Sequence, residues 1–142
     1  MTEKPKIEKI LIVDDDNERV WQAGRLFGKE RIVDSGITAM YNSYDTRDKN
    51  LRDSLERERY GAILMDGNIG KISEDYPTGK SISRRIREGV YGETNRHTPI
   101  VNISLDHTNE FAFYCLRNLR ATQEDIEIIE THIAESAKCR EE

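Results

Sequence analysis

Two short apolar runs, each ending in aspartate, constrain this chain more than any other feature. Ile10-Leu11-Ile12-Val13 runs into Asp14-Asp15-Asp16, and Ala62-Ile63-Leu64-Met65 runs into Asp66. Each run has the length and branched composition of a buried strand. If both strands lie parallel in one sheet, their carboxylates emerge at the same edge. A doubly wound sheet binds its ligands at that edge. Crowded carboxylates repel one another, so they suit a hard divalent cation such as Mg²⁺. A carboxylate in that position is also a competent nucleophile toward a phosphoryl group.

The rest of the chain alternates between strand and helix patterns. After a tail over 1–6, Ile7 to Val13 reads as the first strand. Asp16 or Asn17 caps a helix over about Glu18 to Glu30, with Val20, Ala23, Gly24 and Phe27 facing inward. Weak alternation predicts a strand over Ile37 to Tyr44. A helix over Arg47 to Arg59 follows, with Leu51 and Leu55 inward. Gly61 to Asp66 is the second clear strand, and Gly67 to Thr78 reads as a loop. Thr78 caps a helix to about Glu88, with Ile82 and Ile86 facing in. Pro99 to Ser104 is a strand with proline at its start, and Phe111 to Leu116 is the last strand. Thr122 and Asp125 form a capping box for a helix with Ile126, Ile129, Ile133 and Ala137 on one face.

This order predicts a mainly parallel sheet covered on both sides. Only Leu105 to Glu110 separate the last two strands, where a parallel crossover needs about a dozen residues. Either a helix there is cut to about one turn, or the fifth strand lies elsewhere.

The 142 residues suffice for one domain with a real core, and 1–142 read as a single domain with no output domain. A net charge of -5 argues against nucleic acid as the main partner. Met1 to Lys9 lacks the apolar stretch of a signal peptide, and no run reaches membrane-spanning length. Cys115 and Cys139 form no disulfide framework, so a reducing cytoplasm is expected. Gly79-Lys80-Ser81 looks like the end of a phosphate-binding loop, but Glu74 stands where that motif needs glycine.

On these residues the chain resembles the receiver domain of bacterial two-component response regulators. The resemblance rests on Lys9 to Asp16, Tyr60 to Asp66, Gly79 with its helix, Thr98 to Ser104, and Phe113 to Arg117. It implies a flavodoxin-like, doubly wound, five-stranded parallel sheet in the order 2-1-3-4-5, with the fourth helix shortened or missing. It implies that Asp66 accepts a phosphoryl group from a histidine kinase or phosphotransfer protein. Asp14 and Asp15, with Asp66 and the backbone carbonyl of Asn68, fall on the Mg²⁺ ligands. Ser104 falls on the switch hydroxyl and Tyr114 on the switch aromatic. The downstream partner is expected to be a protein, and neither nucleic acid nor membrane is expected as a partner.

Three departures accompany the resemblance. Arg117 stands where the family has a phosphate-pairing lysine, and the two cations are not interchangeable. Asn118 replaces a cis-proline, so a trans bond and an altered loop are expected. The segment after Ser104 is too short for the family's fourth helix.

Other readings stand beside these. Taken alone, Asp14 to Asp16 fit a helix cap, and Asp16 fits it best. Tyr114 and Cys115 fit packed strand residues. Arg84, Arg85 and Arg87 fit a solvated helix face. His97, His107 and His132 are isolated, as in connectors. A phosphorylation-independent pseudo-receiver is the second functional reading. A small phosphohydrolase resembling the haloacid-dehalogenase group, with Asp14 as nucleophile and Asp16 as general acid, is the third.

Overall fold

Alternation along the strands builds two apolar cores, one on each face of a single sheet. The computed structural model describes residues 8–37, 44–67, 79–104 and 109–141. The strands are β1 (Ile10–Val13), β2 (Ile32–Asp34), β3 (Ala62–Met65), β4 (Ile100–Asn102) and β5 (Tyr114–Cys115). The helices are α1 (Asn17–Phe27), α2 (Tyr44–Arg57), α3 (Gly79–Arg87) and α4 (Gln123–Glu141). A single 3-10 turn, Arg117–Leu119, follows β5. All five strands are parallel, in the order β2-β1-β3-β4-β5.

Leu11 and Val13 of β1 point to the same face as Ile63 and Met65 of β3. There they meet Leu51 and Leu55 of α2 and Ile82 and Ile86 of α3. Ile10, Ile12, Ala62 and Leu64 point the other way, onto Ala23 and Phe27 of α1 and Ile129 and Ile133 of α4. Strand side chains alternate between faces, so one continuous apolar run serves both cores. Each buried aliphatic side chain contributes roughly 1.5–3 kcal/mol against its exposed state. No helix among the described residues is long and apolar enough to cross a membrane.

The caps follow the local chemistry. Asp16 accepts the Glu18 amide at 2.9 Å and starts α1. Thr122 and Asp125 exchange bonds of 2.8 and 3.1 Å before α4, completing the capping box. Asn95 is buried and ties the α2–β3 corner. Its oxygen accepts from the Tyr60 amide and the Thr98 hydroxyl, and its nitrogen donates to the carbonyls of Leu55 and Glu58.

Several expectations need correction. The second strand is Ile32–Asp34, not Ile37 to Tyr44. Helix α1 stops at Phe27 because Gly28 turns out of it at φ 104°, a conformation that favours glycine. The chain then returns in time for Ile32 and Val33 to pair with Ile10 and Leu11. Ile37 is buried outside any strand, and 38–43 lie outside the described residues. Strand β5 is two residues long rather than six, because pairing to β4 spans only Val101 and Asn102. No helix lies between β4 and β5 among the described residues, although 105–108 fall outside them. His132 is no isolated histidine: its ring stacks on Phe113, with centroids 3.8 Å apart. Arg87 is half-buried and donates to the carbonyls of Arg96 and Thr98.

Candidate functional site

Strand register brings the aspartates together. Val13 pairs with Met65, so Asp14 and Asp66 are the next residue on neighbouring central strands. The Asp66 amide donates to the Val13 carbonyl at 3.0 Å, which locks that alignment. Asp14, Asp15 and Asp66 each offer a carboxylate oxygen within 4.8 Å of the others. Asp14 is fully buried and Asp66 is 6% exposed, while Asp15 is half-buried.

Asp14 is the group most out of balance. Its Oδ1 accepts the Asp16 amide at 2.9 Å, but its Oδ2 is buried without a hydrogen bond. Burial first, and then the Asp66 charge, push its carboxyl up to about 8. A buried oxygen without a hydrogen bond among hard carboxylates is an environment that a divalent cation completes, so the residues present fit Mg²⁺. A cation needs the ionised form, so its binding strengthens as pH rises toward about 8.

The same shift carries a sign for stability. Between 3.8 and about 8 the folded chain holds a proton on Asp14 that the unfolded chain has lost. Stability of the metal-free protein therefore falls as pH rises through that window, and levels off above it. Asp14→Asn is expected to stabilise the metal-free protein by on the order of 1–3 kcal/mol at about pH 9. Near pH 4 it should stabilise little. Thermal melts in chelator at both pH values check this, and an equal gain at both would contradict it.

The end of β4 supplies the hydroxyl. Ser104 is buried, and its Oγ donates to Asn102 Oδ1 at 2.8 Å while its amide donates to the same oxygen at 3.0 Å. Two glycines keep the approach narrow. A Cβ on Gly67 would lie 2.9 Å from Ser104 Oγ, and one on Gly79 would lie 2.0 Å from the Asp66 carbonyl oxygen.

The remaining expected site residues sit differently. Arg117 is exposed. It is the first residue of the 3-10 turn after β5. Tyr114 is half-buried, and its hydroxyl donates to Asp125 Oδ1 at 2.5 Å, joining β5 to the cap of α4. That bond, before any other cause, pushes the Tyr114 hydroxyl up and holds the Asp125 carboxyl down. Asn68 and His107 lie outside the described residues. All described peptide bonds are trans, and Asn118 and Leu119 adopt φ of 55° and 54°.

Sequence reasoning missed Arg19 and Asn102. Arg19 reaches from α1 to Asp14, with Nε 3.8 Å from Oδ2. The signal was a basic residue in a first helical turn, where the helix dipole disfavours it. For Asn102 the signal was an amide inside the apolar run Ile100 to Ile103.

An acidic cluster at the carboxyl edge of a parallel 2-1-3-4-5 sheet defines the class: a flavodoxin-like domain built as receiver domains are. No family model and no curated relative matches the chain. Solved structures do. A response-regulator receiver domain from Methylobacillus flagellatus aligns with a TM-score of 0.65 at 14% identity, covering 90% of this chain and 99% of that one. A receiver domain protein from Clostridium thermocellum aligns at 0.62 and 18% identity, over 94% and 99% of the two chains. The receiver domain of a Pseudomonas aeruginosa sensor histidine kinase aligns at 0.61 and 20% identity, over 89% and 98%. That domain holds a magnesium ion in its active-site cleft. The chain thus resembles receiver domains over most of its length and shares their fold.

Proposed function

We propose that the chain is a single receiver-like domain that accepts a phosphoryl group on Asp66 and signals by protein–protein contact. The observation that carries this reading is the packing of Asp14, Asp15 and Asp66 at one edge, with an Asp14 oxygen that is buried and accepts no hydrogen bond. The donor is a phosphohistidine of a histidine kinase or phosphotransfer protein. An Asp66 carboxylate oxygen attacks phosphorus, forming an acyl phosphate as the nitrogen–phosphorus bond breaks. The leaving imidazole takes up a proton. Such transfer needs positioning and charge neutralisation more than covalent assistance. Asp14, Asp15, Asp66 and the backbone carbonyl of Asn68 would hold Mg²⁺, which would supply charge neutralisation for the transfer. Ser104 then exchanges its bond with Asn102 for one to the phosphoryl oxygens, carrying the added charge to β4.

A second reading, the phosphorylation-independent pseudo-receiver, draws support from exposed Arg117 and from Tyr114 tied to Asp125. Acetyl phosphate separates the two. Intact-mass spectrometry should show one phosphoryl group added with Mg²⁺ and none with chelator, and peptide mapping should locate it on Asp66. Absence of any adduct at saturating Mg²⁺ would leave the pseudo-receiver.

A further inference from the structure

We propose that Arg19 is the resident cation of this site and the strut that reports its occupancy to the turn after β5. The inference rests on the reading of the site as one that takes a divalent cation. One guanidinium joins three elements. Its Nε lies 3.8 Å from Asp14 Oδ2, its Nη1 donates to the Ile103 carbonyl at 2.8 Å, and its Nη2 donates to Asn118 Oδ1. The side chain is 20% exposed, so solvent screens it only partly. Its planar fork of five donors serves the carboxylate, the strand end and the turn together, which an ammonium does not.

The far end of the strut holds a strained place. Asn118 and Leu119 are consecutive non-glycine residues in the left-handed region. The Asn118 amide bonds the Ser104 carbonyl at 3.4 Å, and its side chain is held by Arg19. Ile103, the other anchor, directly precedes Ser104. Arg19 therefore touches the acidic cluster, the residue before the hydroxyl and the turn beyond β5. Arg117, the first residue of that turn, is exposed instead.

A divalent cation at Asp14 and the Arg19 guanidinium are like charges competing for one oxygen. Filling the site pushes Arg19 away and loosens Asn118. By reciprocity, removing Arg19 tightens the cation.

Calorimetric titration of the full chain with Mg²⁺ tests this, alongside amide NMR spectra. Arg19→Gln is expected to bind Mg²⁺ about fivefold or more tightly than wild type. The Mg²⁺-induced shifts expected at Asn118 and Leu119 in wild type should be absent from this variant. Arg19→Lys keeps the charge without the fork, so affinity should stay within about twofold while the Asn118 response is lost. Asn118→Ala leaves the carboxylates untouched and should tighten binding by a smaller factor, which keeps the test alive if Arg19→Gln does not fold. Wild type that binds Mg²⁺ while Arg19→Gln and Asn118→Ala match its affinity overturns the role of Arg19 alone. Wild type that binds no Mg²⁺ overturns the functional reading and this inference together.

Discussion

Asp66→Asn is expected to cut labelling by acetyl phosphate at least about a hundredfold, because a carboxamide oxygen is no nucleophile at phosphorus. The substitution nearly preserves shape, and the Asp66 amide bond to Val13 belongs to the backbone. The fold should survive. A second effect separates loss of chemistry from loss of structure. The Asp66 charge is the second cause, after burial, of the raised Asp14 carboxyl. Neutralising it should bring Asp14 down from about 8, though burial keeps it above an ordinary carboxylate. The pH at which metal-free stability levels off should move down with it. Intact-mass labelling and melts across pH read both effects. Labelling as strong as wild type would show that another residue accepts the phosphoryl group.

Gly79→Ala is expected to destabilise the protein by about 2–3 kcal/mol or more, the range for forced overpacking. The added Cβ would sit 2.0 Å from the Asp66 carbonyl oxygen and 2.9 Å from its carbonyl carbon. Both are backbone atoms at the end of a central strand, so no side chain can swing aside. Either α3 backs away from β3, exposing Ile82 and Ile86, or the Asp66 peptide turns and carries its carboxylate with it. Denaturant unfolding measures the first, and labelling yield in the folded fraction measures the second. Gly67→Ala meets a hydroxyl rather than backbone, at 2.9 Å, and should cost less. Equal stability of Gly79→Ala and wild type would mean that the helix does not pack this closely.

Much of the architecture was legible because its signals are local. Continuous apolar runs at Ile10 to Val13 and Ala62 to Met65 marked the central strands, and both are fully buried. Inward residues of the helices, such as Leu51, Leu55, Ile82, Ile86, Ile129 and Ile133, were readable from helical spacing. Asp16, Thr122 and Asp125 announced their caps through side-chain chemistry. The edge strands were less legible for the same reason. Ile32–Asp34 offers three residues beside Glu30 and Arg31, and an edge strand need not be apolar on both faces. Its place was decided by pairing to β1, which no local pattern encodes.

The sequence by itself determined which strands are central and that carboxylates follow them, because burial on both faces demands unbroken apolar runs and polar groups must leave the core where those runs end. It also determined that the residues from Ser104 to Asn118 depart from the receiver pattern. Only the tertiary structure decided which cation stands beside the carboxylates. Arg117 is next to the site in sequence pattern, yet it is exposed on the turn after β5. Arg19 belongs to another element, yet the packing of α1 against the sheet brings its fork to Asp14, Ile103 and Asn118. A guanidinium at the end of a long side chain is placed by its contacts across elements, not by its neighbours in the chain.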